Sequence, residues 1–387
     1  MRVRWVSNGF GEDVIATILA KALKMDPHIM IGMPLVGTGE AYKRAGIAVG
    51  LSPKPVLPSG GFLRRFWDVW RDLRAGLLGQ LRYNYRVLRD SPADFQIVVG
   101  DVFALVMATF RQPIPTVFFP TAKSERCIPH SMVEYLLMRR YCDLVFPRDR
   151  ETHERFRTKN LPSHFFGNPM FDGMTADVPP PPNAIGVGIL PGSRHEAESN
   201  MMLILNAIGQ LALPHVVWSA AIPDHIPIQS WDMADAHGWS FVPDSTIPTF
   251  VHGPSGQVVT VSSAFYDVLH ASRVVIGLAG TANEQALYAK RHVISFIGTG
   301  PQSTKQRFRE QHQLIEGGQA TFIPSSDPQT IAHHIAPLIA NPSVPWTPLS
   351  DHHQTAATDI ATCLQQTFFS TAYYSDSPNE ALPLATL

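Results

Sequence analysis

Only three cysteines occur in 387 residues, Cys127, Cys142 and Cys363; their number and spacing support neither a disulfide framework nor a zinc motif. A reducing compartment suits such a chain. It also lacks any unbroken run of the about 18 apolar residues that a spanning helix needs. The most apolar stretches, near Val102–Ala108 and Val274–Ala279, are cut by turn-forming residues. The first residues, MRVRWVSNGFGED, hold no apolar centre of a secretory leader. Charge is balanced, with a formal net value of -1, where a general nucleic-acid binder carries a basic excess. No nucleic-acid partner is expected. These absences lead to the expectation of a cytoplasmic protein that can lie on the inner face of a membrane without crossing it. What the chain has is apolar material, 45% of its residues, and enough length for two domains of about 150 to 200 residues each.

Short apolar runs alternate with segments of helical periodicity. Val3–Ser7, His28–Gly32, Phe95–Val99, Thr116–Phe119 and Leu144–Phe146 read as strands, with helices over Glu12–Lys24, Val102–Phe110, Ser131–Tyr141 and Glu151–Arg157. Four prolines in a row, Pro179 to Pro182, then interrupt the pattern, and such a run continues neither a helix nor a central strand. Beyond it the alternation resumes, with strands at Ile185–Leu190, His215–Ser219, Val258–Ser262, Val274–Gly277 and Val293–Phe296 and helices between and after them. The expected organisation is a first domain over 1–172, a proline linker over 173–184, a second domain over 185–345, and a last helix with a flexible tail over 346–387. Each domain is expected to be a doubly wound α/β sheet.

Three strand-to-helix turns could carry chemistry. The first is Asn8-Gly9-Phe10-Gly11-Glu12-Asp13. Its glycines permit close backbone approach to a ligand, and helix amides attract anions; equally, it is a tight turn with acids where the helix dipole favours them. The second is Leu190-Pro191-Gly192-Ser193-Arg194. Arg194 can meet a phosphate through two parallel hydrogen bonds, while Ser193 with Glu196 also fits a helix capping box. The third is Gly277-Leu278-Ala279-Gly280-Thr281-Ala282-Asn283-Glu284. Its small residues leave a helix N-terminus open to a diphosphate. Glu284 stands where a carboxylate can accept from ribose hydroxyls or simply be solvated. Asp101, after the strand Phe95–Val99, can take a proton from an acceptor hydroxyl or cap the next helix.

The chain resembles the lipid-A-disaccharide synthase family over about residues 1 to 340. Leu190–Arg194 with Glu196 and Glu198 is similar to that family's donor motif, and Gly280–Glu284 with Ala286 to Arg291 is similar to its Ser-Gly-Thr-Ala-Thr-Leu-Glu segment, one position shorter. Phe166-Gly167-Asn168-Pro169 resembles its Gly-His-Pro turn, and Val99–Phe103 its strand ending in a functional Asp. The resemblance implies a GT-B architecture, two Rossmann-like domains facing across a cleft. It further implies a UDP-sugar donor, inversion at the anomeric carbon and a lipid-linked acceptor. It makes Arg194 the donor-phosphate ligand, with Gly192 and Ser193 in the same turn. Gly280, Thr281 and Ala282 become diphosphate contacts, Glu284 the ribose ligand and Asp101 the general base. Glu12 or Asp13 stand as the other candidates for the base, and Asn8, Gly9 and Gly11 lie on the acceptor side. Two departures fall in the first domain. Ser7–Asp13 replaces Ala-Gly-Glu-x-Ser-Gly-Asp, and Pro120–Arg126 replaces an aromatic loop.

No metal site or other cofactor is expected. His333-His334 and His352-His353 lack carboxylates at ligand spacing, and the GT-B resemblance puts basic side chains and a helix dipole at the diphosphate. The segment Phe62–Arg89 interleaves arginines with Trp67, Trp70, Leu77, Leu81 and Tyr85 at helical spacing. It reads either as a core helix with a solvated arginine face or as a peripheral contact with an anionic membrane. Two rival functions use the same architecture: a UDP-sugar 2-epimerase and a non-catalytic nucleotide-sugar-binding protein.

Overall fold

Val3–Ser7 is buried at every position, as a strand covered on both faces must be. This strand, β1, lies inside a six-stranded sheet. The computed structural model describes residues 1–51, 76–110, 112–176, 179–243, 247–315, 317–352 and 354–369. They fall into two compact units, one of Met1–Glu125, His130–Asp172 and Gln354–Leu387, the other of Arg126–Pro129 and Gly173–His353.

In the first unit β1 is followed by α1 (Phe10–Leu23), β2 (Met30–Pro34), α2 (Glu40–Arg44), β3 (Ala48–Val49), α3 (Leu77–Asp90), β4 (Phe95–Gly100), α4 (Val102–Thr109), β5 (Thr116–Pro120), α5 (Met132–Tyr141), β6 (Leu144–Val145) and α6 (Arg150–Thr158). The strand order is β3-β2-β1-β4-β5-β6, and all the pairs are parallel. Val6, Val98 and Phe118 join Leu105, Met138 and Phe156 in the core. Arg4 is wholly buried in β1. It donates to Gln96 and Gln112 side-chain oxygens and to the carbonyls of Leu88 and Ala108, which ties the ends of α3 and α4 to the sheet. Burial lowers its pKa to about 10, so the guanidinium stays charged at neutral pH.

The second unit runs β7 (Ile185–Leu190), α7 (Ala197–Ile208), β8 (Val216–Ala221), β9 (Trp239–Val242), β10 (Thr249–His252), β11 (Val258–Ser262), α8 (Phe265–Ala271), β12 (Val274–Gly277), α9 (Thr281–Tyr288), β13 (His292–Phe296), α10 (Lys305–Leu314), β14 (Gln319–Ile323) and α11 (Pro328–Ala340). The order is β14-β13-β12-β7-β8-β11-β10-β9. Six strands are parallel, and β9 and β10 add an antiparallel extension at one edge. Arg273 and Arg291 donate to the carbonyls of Pro342, Val344 and Thr347 and strap the outgoing chain to this unit.

The last helix, α12 (Ala356–Leu364), then packs on α1 of the first unit. The amide of Ala357 donates to the Asp172 carboxylate, and Phe368 and Phe369 place their rings 5.0 Å from that of Phe95. Apolar burial on α1 therefore claims a helix that the sequence sets apart with a flexible tail.

Candidate functional site

In the second unit β7 leads outward through β8, and β12 leads the opposite way through β13. The sheet order thus reverses between β7 and β12, the position at which open α/β sheets form a ligand crevice beyond the carboxyl ends of their strands. Leu190 pairs with Gly277, and the Leu278 amide donates to the Leu190 carbonyl at 2.9 Å. The two turns leaving these strands therefore start level, side by side.

The turn after β7 bends at Gly192, whose φ of +117° is strained for any residue with a Cβ. Gly192, Ser193 and Arg194 are half-buried, and His195 is exposed. The helix begins only at Ala197, with Glu196 at the cap position and no side-chain cap. The capping box of Ser193 with Glu196 is therefore not formed. Ser193 and Arg194 belong to the turn itself, where the Ser193 carbonyl accepts from His225 at 3.0 Å.

The turn after β12 ends in α9, whose cap residue Gly280 offers no side chain to the leading amides. Gly280, Thr281 and Ala282 are half-buried at this positive helix end, suited to an anion. Asn283 folds back to the Gly277 carbonyl. A Cβ on Gly277 would stand 2.1 Å from its amide oxygen, so this glycine makes room for the fold-back. Glu284 is 3% exposed, which sets aside its reading as a solvated acid. It accepts from Arg307 at 3.4 Å, and Arg307 also reaches Glu310 at 3.3 Å and Gln302 at 2.9 Å.

A third turn, Gly298 to Ser303 after β13, escaped the sequence reading. Gln302 brings it against Gly280, where a Cβ would meet the Gln302 amide oxygen at 3.1 Å. Asn200, buried in the first turns of α7, donates to Pro191 and Thr299 carbonyls and accepts from the Thr299 amide. The signal for this turn was a third strand followed by Gly298-Thr299-Gly300; nothing local marks Asn200 or Arg307.

The first unit repeats the geometry, with its order reversing between the neighbours β1 and β4. Gly9 caps α1, and Gly11 lies within the first helical turn. The Glu12 carboxylate lies over Gly9, where a Cβ would come within 2.2 Å of it. Its Oε1 accepts from the Thr121 hydroxyl at 3.2 Å. Asp101 caps α4 by accepting from the Ala104 amide at 2.9 Å, as its capping reading requires. Burial raises its pKa against the hydrogen bonds from that amide and from Asn8. The Asn8 amide packs on Gly100, whose φ is +151°. Asp13 is 1% exposed and accepts from Ser7 at 2.6 Å, and the Ser7 hydroxyl also meets Tyr42 at 2.7 Å. Burial pushes the Asp13 pKa up to about 8. So deep a carboxyl cannot reach an acceptor hydroxyl, and geometry sets Asp13 apart from Glu12 and Asp101 as a base.

Among the described residues no three His, Cys, Asp or Glu side chains gather as a metal site, and no helix is long and apolar enough to cross a membrane.

No protein-family profile matches the chain, and no curated protein matches its sequence. Solved structures do match. The calicheamicin glycosyltransferase CalG4 aligns over 95% of this chain and 98% of its own at 16% identity, with a TM-score of 0.55. A UDP-N-acetylglucosamine 2-epimerase aligns over 99% of both chains at 14% identity and 0.55. The spinosyn rhamnosyltransferase SpnG, complexed with thymidine diphosphate, aligns over 96% of both at 14% and 0.53. At such identities the likeness speaks for architecture: two doubly wound α/β units in succession, each reversed at its first strand, give this chain the GT-B fold.

Proposed function

We propose that the chain is an inverting glycosyltransferase that moves a sugar from a UDP-sugar to a lipid-borne acceptor. The observation that carries this reading is the level pair of turns beyond β7 and β12, one bearing Arg194 and the other an open helix end with Glu284 behind it. Arg194 and the amides of Gly280, Thr281 and Ala282 would neutralise the charge that grows on the leaving diphosphate. Glu284, fixed by Arg307, would accept from the ribose hydroxyls. The acceptor oxygen attacks the anomeric carbon, the bond from that carbon to the diphosphate oxygen breaks, and the hydroxyl proton passes to Glu12 or Asp101. Glu12 is the better placed of the two, because the Asp101 carboxylate already caps α4.

The lipid character of the acceptor rests on the first unit. Leu78, Phe103, Met132, Val133 and Leu136 are exposed on α3, α4 and α5, which pack in succession. Arg82, Arg86, Arg139 and Arg140 are exposed on the same helices. Apolar side chains among arginines suit an anionic membrane surface. The segment 52–75, which includes the first half of the aromatic-basic stretch Phe62–Arg89, lies outside the described residues, and α3 supplies its described part.

The test is a thermal-shift series with UDP, GDP, ADP and TDP, followed by product analysis with UDP-sugars and a lipid extract. Selective stabilisation by UDP and a glycolipid product are expected. An epimerised sugar without acceptor dependence would favour the epimerase, UDP binding without turnover the non-catalytic binder. No response to any nucleoside diphosphate would sink all three.

A further inference from the structure

Asn200 has no place in the chemistry above, yet it joins two of the turns around the crevice. It is 1% exposed, and its side-chain amide is committed on both sides. Nδ2 donates to the Pro191 carbonyl at 2.9 Å and to the Thr299 carbonyl at 3.1 Å, while Oδ1 accepts from the Thr299 amide at 2.8 Å. These partners lie on the turn after β7 and the turn after β13, on either side of the helix end that follows β12. The second turn is shaped to receive this side chain. A Cβ on Gly298 would stand 2.7 Å from Asn200 Oδ1, and one on Gly300, at φ +96°, would stand 2.9 Å from Glu196 Cγ. The Ser303 hydroxyl closes the same turn by donating to the Thr299 and Gly300 carbonyls. Gln302 then passes the constraint on, holding Arg307, which holds Glu284.

We infer that Asn200 is a positioning residue that locks the Pro191–Arg194 turn to the Gly298–Ser303 turn, so that Arg194 and the Glu284–Arg307 pair are preset for one nucleoside diphosphate. A ligand held by two independent turns would have to order each on binding, whereas a clasped pair has met that entropy at folding. This deepens the donor-site reading and rests on it.

The experiment compares wild type with Asn200→Ala, Asn200→Asp and Gly298→Ala, measuring amide hydrogen exchange and UDP affinity by calorimetry, with melting temperature as the fold control. Asn200→Asp keeps the shape and the acceptor for Thr299 but turns both donor contacts into oxygen–oxygen repulsion. Gly298→Ala pushes on the clasp while leaving Asn200 in place, and guards against a misfolded Asn200 variant. Faster exchange in both turns together is expected, with UDP Kd raised about tenfold, equivalent to 1.4 kcal/mol. Donor KM should rise more than kcat falls, a split that general loss of stability would not produce. Exchange that rises in one turn alone, or a folded Asn200→Ala that binds UDP like wild type, overturns the inference while the donor-site reading stands. A wild-type protein that binds no nucleoside diphosphate overturns both.

Discussion

At the reversal point of the first unit, the helix opens with Glu12 and Asp13, and a third acid, Asp101, caps the helix on the neighbouring strand. At that of the second, the same two positions carry Arg194 and the small residues Gly280, Thr281 and Ala282. The backbone topology is one; the side chains of the turns differ. Helix ends attract anions in both units by their dipoles, and acids stand in first helical turns of the second unit too, Glu198 in α7 and Glu284 in α9; what the second unit adds is a basic side chain, Arg194, and a Gly280 cap without a side chain. In the first, the Asp101 carboxylate caps α4, and no basic side chain stands in the turn before α1. The comparison teaches that a shared sheet reversal supplies a place for chemistry and the residues of each turn decide its character; the proposed function makes one an anion-receiving edge and the other a proton-accepting edge.

The sharpest way to break that division is to neutralise the acid proposed as the base. Glu12→Gln keeps the size and the contact with Thr121 but removes the base. Turnover should fall about 10²- to 10⁴-fold, the usual contribution of a general base, with UDP affinity unchanged. Asp101→Asn, which can still cap α4, serves as the control. If it alone abolishes transfer, the base is Asp101. Unchanged turnover in both variants would mean that the first unit contributes no acid–base group from this edge.

Arg194→Ala attacks the other side. Removing a charged donor aimed at developing charge costs about 10² to 10³ in kcat by analogy with oxyanion-hole deletions, and here UDP affinity should fall as well. The pair of variants therefore separates the units: one loses turnover alone, the other turnover and nucleotide binding. An Arg194→Ala protein with wild-type kinetics and UDP affinity would remove the anion-receiving role from the turn after β7.

Much of this was visible in the sequence, for a physical reason. Strands buried on both faces, such as Val3–Ser7 and Val274–Gly277, are short apolar blocks between glycines and polar turns, so their ends and the turns beyond them could be read directly. The edge strands β9 and β14 and the neighbouring β10 were not, because Trp239–Val242, Thr249–His252 and Gln319–Ile323 are broken by exposed or half-buried positions and resemble loops. Arg4 and Asn200 look like surface residues in a one-dimensional pattern; what buries them are partners about 90 to 100 positions away. The docking of α12 on α1 spans a still longer separation, and no local periodicity encodes it. Two of the three turns around the second unit's reversal were legible from the strands before them; what holds one turn to another was not.

The smallest expected effect concerns the buried Asp13 carboxyl, and it sharpens the comparison through pH. Glu284 lies against a guanidinium, whereas the hydrogen bond at Asp13 comes from the Ser7 hydroxyl. Burial raises the Asp13 pKa from its ordinary 3.8 to about 8. The folded protein then holds a proton there that the unfolded chain releases above pH 4. Stability from this group is complete below about pH 4 and declines as pH rises towards 8, by at most about 1.4 kcal/mol per pH unit. Above that value both states are ionised and the contribution levels off. Asp13→Asn, neutral at every pH and still able to accept from Ser7, should flatten the fall in melting temperature between pH 5 and 8. Parallel melting curves for wild type and Asp13→Asn across this range would show that Asp13 is ionised in the folded protein.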